Sequence, residues 1–350
     1  MSSNDAATGA PSAKEGQKKD TLSQFITDVL KQLNVSAWLP AILWVTTLAL
    51  MLKLRIQGNW DIGKAVREFF EAGWPALVAL FLTLLIATLI TQAFSFGCIQ
   101  ILEGYWGTSW PMRRATSMMV RKQARHLRRL KRLHAELERR AFQTAKPALE
   151  GTVNPRHVSI IEKSLTPSDR PLAQHKRRHV EQAFRVDWRS EVAPHISRNL
   201  ESLEASIADY PQDGALLPTK LGCLLYQYEN QLENVTPADV QGFVLRNLDK
   251  IPDVALKQHD DYRSRLDLYC TMVFVFMFLT LAAVPLVTLG TTDARPGLSA
   301  MGFFALMSYL SYRGALASSR GYGEILLAID SMIAPQQKRI TPFFPWWNCL

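Results

Sequence analysis

WPALVALFLTLLIATLITQAFSFGCIQIL, residues 74–102, runs for twenty-nine residues without a charged side chain. A helix needs about 20 apolar residues to cross the hydrocarbon core of a bilayer. The stretch therefore predicts a membrane span, and the rest of the chain is read outward from it. Upstream, AWLPAILWVTTLALML at 37–52 is uncharged for sixteen residues, and Lys53 and Arg55 can snorkel so that Leu54 and Ile56 extend it to a span over 37–56. Downstream, LYCTMVFVFMFLTLAAVPLVTLG at 268–290 predicts a span over 267–290, and LSAMGFFALMSYLSY at 298–312 one over 298–318. The expected fold is all-α: an integral membrane helical bundle of four spans, with a helical cytoplasmic domain, residues 103–266, inserted between spans 2 and 3.

Charge orients this arrangement. The 350 residues carry a net charge of +9, yet Arg113–Arg198 alone holds 21 Lys/Arg against 8 Asp/Glu, a surplus of 13, so the remainder sums to −4. Basic loops beside spans resist translocation. The central segment is then cytoplasmic, and the loops at 53–73 and 291–297 face outward, with both termini inside. Localisation in a membrane that bounds the cytoplasm is the expectation.

After Leu102 the chain reads EGYWGTSWPM, in which Tyr105, Trp106 and Trp110 suit a membrane interface while Gly104, Gly107 and Pro111 break the helix. A new helix then carries a stripe of Val120, Ala124, Leu127, Leu130, Leu133/His134, Leu137 and Ala141, and eleven of the 28 residues Arg113–Arg140 are Lys or Arg. Candidate contacts with anionic headgroups are Arg113, Arg114, Arg121, Lys122, Arg125, Arg128, Arg129, Lys131 and Arg132. The alternative is that these charges serve topology alone. Nucleic acid is the poorer partner, because no aromatic ring except His126 and His134 lies in that helix to stack on bases.

Other segments carry less. Residues 1–20 form a Ser/Ala/Gly/Lys tract expected to be disordered, and 21–35 an amphipathic helix that lies either on the inner leaflet or on the protein's own helices. Residues 147–173 hold four prolines and read as a linker or irregular cap. His175 and His179 stand four apart, but Lys176, Arg177 and Arg178 would repel a cation, so no metal site is expected there. Cys98, Cys223, Cys270 and Cys349 form no CxxC pair. No catalytic residue, metal or cofactor is expected.

LPTKLGCLLYQYEN, residues 217–230, follows a Pro/Gly-rich stretch that ends the preceding helix. Thr219 can cap a new helix through its hydroxyl, with Leu221, Leu224, Leu225, Tyr228 and Leu232 on the buried face and Glu229 at its margin. Capping and packing explain these residues without chemistry. The run resembles a motif in an uncharacterised group of bacterial, largely actinobacterial, multi-pass membrane proteins, where Leu-Pro-Thr-Arg-Leu-Gly-Asn precedes a helix bearing a glutamate. Leu217, Pro218, Thr219, Leu221, Gly222 and Glu229 match; Lys220 stands for the arginine and Cys223 for the asparagine. A thiol cannot make an amide's paired hydrogen bonds, which argues for a structural motif. YGEILLAIDSM, residues 322–332, resembles a segment after the group's last span. The resemblance implies a multi-pass membrane protein and transfers no activity.

The apolar runs 37–52, 74–102, 268–290 and 298–312 contain no Asp, Glu, Lys, Arg or His, which disfavours proton coupling. Thr88, Gln92 and Ser95 recur at helical spacing and are candidates for helix contacts or for a polar path. Pro285 is a candidate hinge, and the small residues Ser311, Gly314, Ala315, Ser318 and Gly321 permit close packing. The aromatic tail at 343–347 suits an interfacial anchor. The expected function is a non-enzymatic sensor, relay or scaffold that couples the cytoplasmic domain to the bundle, as a homo-oligomer touching membrane lipids and a cytoplasmic protein partner; the alternative is an oligomeric channel or transporter.

Overall fold

The computed structural model describes residues 35–57, 61–71, 73–107, 109–165, 188–232, 240–288 and 295–333. The tail at 1–20, the amphipathic segment up to residue 34, His175, His179 and the aromatic tail lie outside them. All regular structure among the described residues is helical. Three helices are long and apolar enough to cross a membrane, over Trp38–Gln57, Val78–Glu103 and Asp253–Pro285. The fourth expected run lies in the helix Arg295–Ile333 and is not among the three. Ser308, Tyr309, Ser311 and Tyr312 dilute its apolar character just before Arg313.

The described residues fall into two compact units. One comprises those up to Ile99 together with Arg263–Ala315. It holds α1 (Val35–Gln57), α2 (Ile62–Glu71), most of α3 (Gly73–Glu103), and parts of α9 (Asp253–Thr288) and α10 (Arg295–Ile333). Met51, Met272, Val275, Phe276, Leu279, Ala283 and Phe304 form its main core. A second cluster pairs Ala41 and Val45 with Ala87, small side chains that let α1 and α3 approach. Trp44 ties these together: its ring meets Phe278 edge-on at 6.0 Å, and its indole N–H donates to the Thr91 hydroxyl at 3.3 Å. Ser308 donates to the Val273 carbonyl at 3.1 Å, joining α10 to α9. At Gly314 a Cβ would sit 2.9 Å from the Tyr269 ring, so the small residue lets the aromatic lie on the backbone. The loop expected at 53–73 contains α2, started by the Asp61 carboxylate accepting from Lys64 N–H at 2.9 Å and tied to α1 by Gln57 donating to Glu68 at 2.7 Å.

The other unit comprises the described residues of Gln100–Tyr262 and of 316–350. It holds α4 (Trp110–Thr152), α5 (Pro155–Leu165), a short 3₁₀ turn (Trp188–Glu191), α6 (Pro194–Ala208), α7 (Lys220–Gln231) and α8 (Val240–Arg246). One core gathers Phe142, Ala145, Leu149, Val158, Ile161, Trp188 and Leu200, with Trp188 edge-on to Phe142 at 5.5 Å. Beside it His134 and Arg189 share Glu204 at 3.1 and 2.8 Å. Burial alone would raise the Glu204 carboxyl, but the bonds from Arg189 and His134 outweigh it and hold the group below the usual carboxylate range. A second core joins Leu232, Val240, Phe243, Val244, Ile251 and Ala255 to Leu326 and Ile329.

The expected linker at 147–173 is corrected in its first part. The chain is helical through Pro147 to Thr152 and again from Pro155 to Leu165. Pro147 removes one helical donor, but Ala145 and Leu149 flank it in the core, and Lys146 reaches Glu162 at 3.0 Å. Burial of those apolar groups offsets the lost bond. Pro155 and Pro194 each begin a helix, where a missing N–H costs nothing.

Candidate functional site

The last carbonyls of a helix have no partner within it. At the end of α3 those of Gln100, Ile101 and Leu102 are each met differently. Gly104 adopts φ +100°, a left-handed conformation natural to glycine, and a Schellman motif forms: Tyr105 N–H donates to Gln100 O at 3.0 Å and Gly104 N–H to Ile101 O at 3.2 Å. The Trp106 indole N–H also donates to Ile101 O, at 2.7 Å. Leu102 O accepts from the hydroxyl of Thr219, a residue on another element.

That same hydroxyl begins α7. Thr219 has extended backbone, φ −114° and ψ 154°, and its oxygen accepts from Gly222 N–H at 2.9 Å. One side chain thus finishes one helix and starts the next. The flanking motif residues make the approach possible. A Cβ on Gly222 would lie 1.9 Å from the Glu103 carbonyl oxygen, and one on Gly104 would lie 2.6 Å from the Pro218 ring. Leu221 and Leu224 are fully buried beneath the junction, with Leu225 and Leu232; Tyr228 is half-buried, its ring lying over Gly323.

Lys220 anchors the junction electrostatically. Asp209, at the end of α6, is 5% exposed and receives Lys220 Nζ at 3.0 Å and the Arg320 guanidinium at 3.1 and 2.8 Å. Hydrogen bonding to Asp209 is the main cause that raises the Arg320 group above its ordinary value. Buried carboxylates persist only when paired in this way. Cys223 corrects the expectation that a thiol cannot take an amide's place. Its sulfur accepts from Leu217 N–H and donates to Leu217 O, both at 3.3 Å. Burial pushes the thiol up, which keeps it protonated and able to donate.

Glu229 lies ten residues, nearly three turns, beyond the cap and is half-buried. Burial, and then the Glu103 charge, raise its carboxyl from 4.5 to about 7. The groups coupled to it are acids or phenols: Glu103, Tyr105 and Tyr226, whose hydroxyl donates to Asp213 at 3.0 Å. Among the described residues no group of three metal-ligating side chains comes together. The arrangement joins helices, with an acid of raised pKa at its margin.

The other candidates are dispersed. Thr88 is buried and donates to Leu84 O at 2.8 Å, Ser95 donates to Gln92 O at 2.8 Å, and the Gln92 side chain is exposed. The structure therefore does not bring the three onto one buried face, and it is Thr91 that accepts the Trp44 indole bond from α1. Pro285 lies three residues before the end of α9. Arg113, Arg114, Arg121, Lys122, Arg125, Arg128, Arg129, Lys131 and Arg132 are all exposed. Asp209 and Arg320 were invisible to sequence reasoning: they stand 111 residues apart, and no spacing marks them as partners. Gly104 had a signal, since glycine followed by an aromatic residue after an apolar run is the pattern of a helix C-terminus.

Compared with protein-family models, curated proteins and solved structures, the chain has no significant match to any.

Proposed function

We propose that the protein is a non-enzymatic, multi-pass membrane module in which a helical cytoplasmic domain relays the binding of a partner to a bundle of four spans, α10 supplying the fourth. The observation that carries the reading is α9. It runs unbroken from Asp253 to Thr288. Ala255 near its start belongs to the core that joins α8 to Leu326 and Ile329, whereas Met272, Val275, Phe276 and Leu279 belong to the apolar core of the other unit. A continuous helix is stiff over such a length, so displacement of its first turns moves the later ones. The resemblance of the LPTKLG run to a motif of bacterial multi-pass membrane proteins agrees with a cytoplasmic-membrane location.

Two glycines inserted between Arg265 and Leu266 would interrupt that rod. The expected outcome is a protein that still inserts and still co-purifies with its cytoplasmic partner from native membranes, but in which partner binding no longer changes protease protection of the spans. Unchanged protection in the native chain on adding partner would end the relay reading. An oligomeric channel is the competing reading, and the exposed Gln92 amide favours it, since an amide facing hydrocarbon is costly unless another protomer satisfies it. Ion flux through reconstituted vesicles that Gln92→Leu alters would establish the channel; electrical silence supports the relay.

A further inference from the structure

We propose that the outward face of α4 is a docking surface for anionic lipid headgroups of the membrane that α3 crosses. The inference rests on the membrane reading of α3 and is independent of the relay. α4 is a single helix, and from Arg114 to Arg132 it extends about 27 Å at roughly 1.5 Å per residue. Its inner face is occupied: Ala124, Leu127 and Leu130 are half-buried, and Gln123 accepts from the Tyr210 hydroxyl at 3.1 Å. On the opposite side Arg114, Arg121, Lys122, Arg125, Arg129 and Arg132 are exposed. No carboxylate occurs in the sequence from Arg113 to Arg132, and among the described residues no Asp or Glu pairs with these cations.

Chain connectivity fixes where the stripe begins. α3 ends at Glu103 and α4 starts at Trp110, so the six residues between can carry the chain at most about 21 Å from the end of the span. At this end the exposed side chains are also apolar: Trp110 at 67%, Met112 at 47% and Met118 at 68% exposure, with the Arg114 guanidinium 4.2 Å above the Trp110 ring. Further along, the exposed face is almost purely cationic. Apolar and aromatic groups next to the span, followed by a row of arginines, match an interface whose outer layer is phosphate. A purely topogenic role requires the charge but not Trp110, Met112 and Met118 beside it. Nucleic acid would supply phosphate too, but without stacking rings along the stripe its bases have nothing to rest on.

The test uses the full chain with Met118→Cys in a Cys349→Ser background, labelled with a polarity-sensitive fluorophore and reconstituted into vesicles. Phosphatidylcholine alone is compared with phosphatidylcholine containing phosphatidylglycerol. The expected result is a blue-shifted emission in the anionic vesicles only, abolished in about 1 M salt, where the screening length falls to about 3 Å. With Arg121, Arg125, Arg129 and Arg132 changed to Gln, about a tenth or less of the shift remains, because each cation near such a surface contributes independently. Equal emission in both vesicles, persistence in salt, or release of the signal by single-stranded DNA would each overturn the proposal. Should the fourfold variant fail to fold, the lipid and salt comparisons on the otherwise native chain decide alone.

Discussion

The junction of α3 with α7 and the outer face of α4 belong to the same unit and are built on opposite plans. At the junction nearly every group is spoken for: Thr219 serves two helices, Lys220 and Arg320 close on Asp209, and Gly222 leaves no space against the Glu103 carbonyl. Along α4, from Arg114 to Arg132, a row of cations is exposed and pairs with no carboxylate among the described residues. The lesson is that a recognisable motif and an interaction surface need not coincide. LPTKLG is explained by what it holds together, whereas among the described residues no carboxylate pairs with Arg114, Arg121, Arg125, Arg129 or Arg132.

The comparison breaks most easily at Gly222. Gly222→Ala places a methyl where only the Glu103 carbonyl fits, and an overpacked backbone contact of this kind costs about 3 kcal/mol. Thermal unfolding in detergent should show a large drop, and a variant as stable as the parent would mean the junction is looser than described. Glu229 comes next. In the unfolded chain its carboxyl ionises near 4.5 and in the folded chain near about 7, so between these values the folded state binds the extra proton. Stability contributed by Glu229 is therefore complete below about pH 4.5 and is lost as pH rises through about 7. Glu229→Gln should remove that slope and leave the protein about 2 kcal/mol more stable than the parent at pH 8; a parallel pH profile for the two proteins would refute the assignment.

Thr219→Ala deletes the cap and the bond to Leu102 together, with an expected loss of about 1 kcal/mol that Thr219→Ser restores. Failure of the serine variant to recover stability would show that the methyl, not the hydroxyl, matters. Smallest of all, Arg125→Gln on the open face should shift unfolding by no more than about 0.5 kcal/mol. That near-silence in stability, set beside weakened attachment to anionic vesicles, is what separates a surface from a scaffold.

Sequence periodicity made the three apolar helices legible because length and absence of charge are local properties. Thr219 as a cap, with Leu221, Leu224, Leu225 and Leu232 beneath it, was legible for the same reason. The expectation that Gly104 and Gly107 break the helix after Leu102 was also local, and both adopt positive φ, +100° and +42°. What stayed hidden is long-range. Lys220 and Arg320 look like any other basic residues until Asp209 appears between them. Cys223 looked like a loss because a sulfur was compared with an amide by chemistry alone, and its place beside the Leu217 backbone was not visible. Pro147 misled because proline is read as a breaker, and only the burial of Ala145 and Leu149 shows why the helix continues.

The bond from Thr219 to Leu102 spans 117 positions of the chain. A ribosome adding roughly 5 to 20 residues per second takes about 6 to 23 s to cover that distance. During that interval the newborn apolar helix has left the exit tunnel while the residue that completes its C-terminal end is still untranslated. Its terminal carbonyls must meanwhile be hydrated, and locking of this helix end against α7 is a late event of biogenesis.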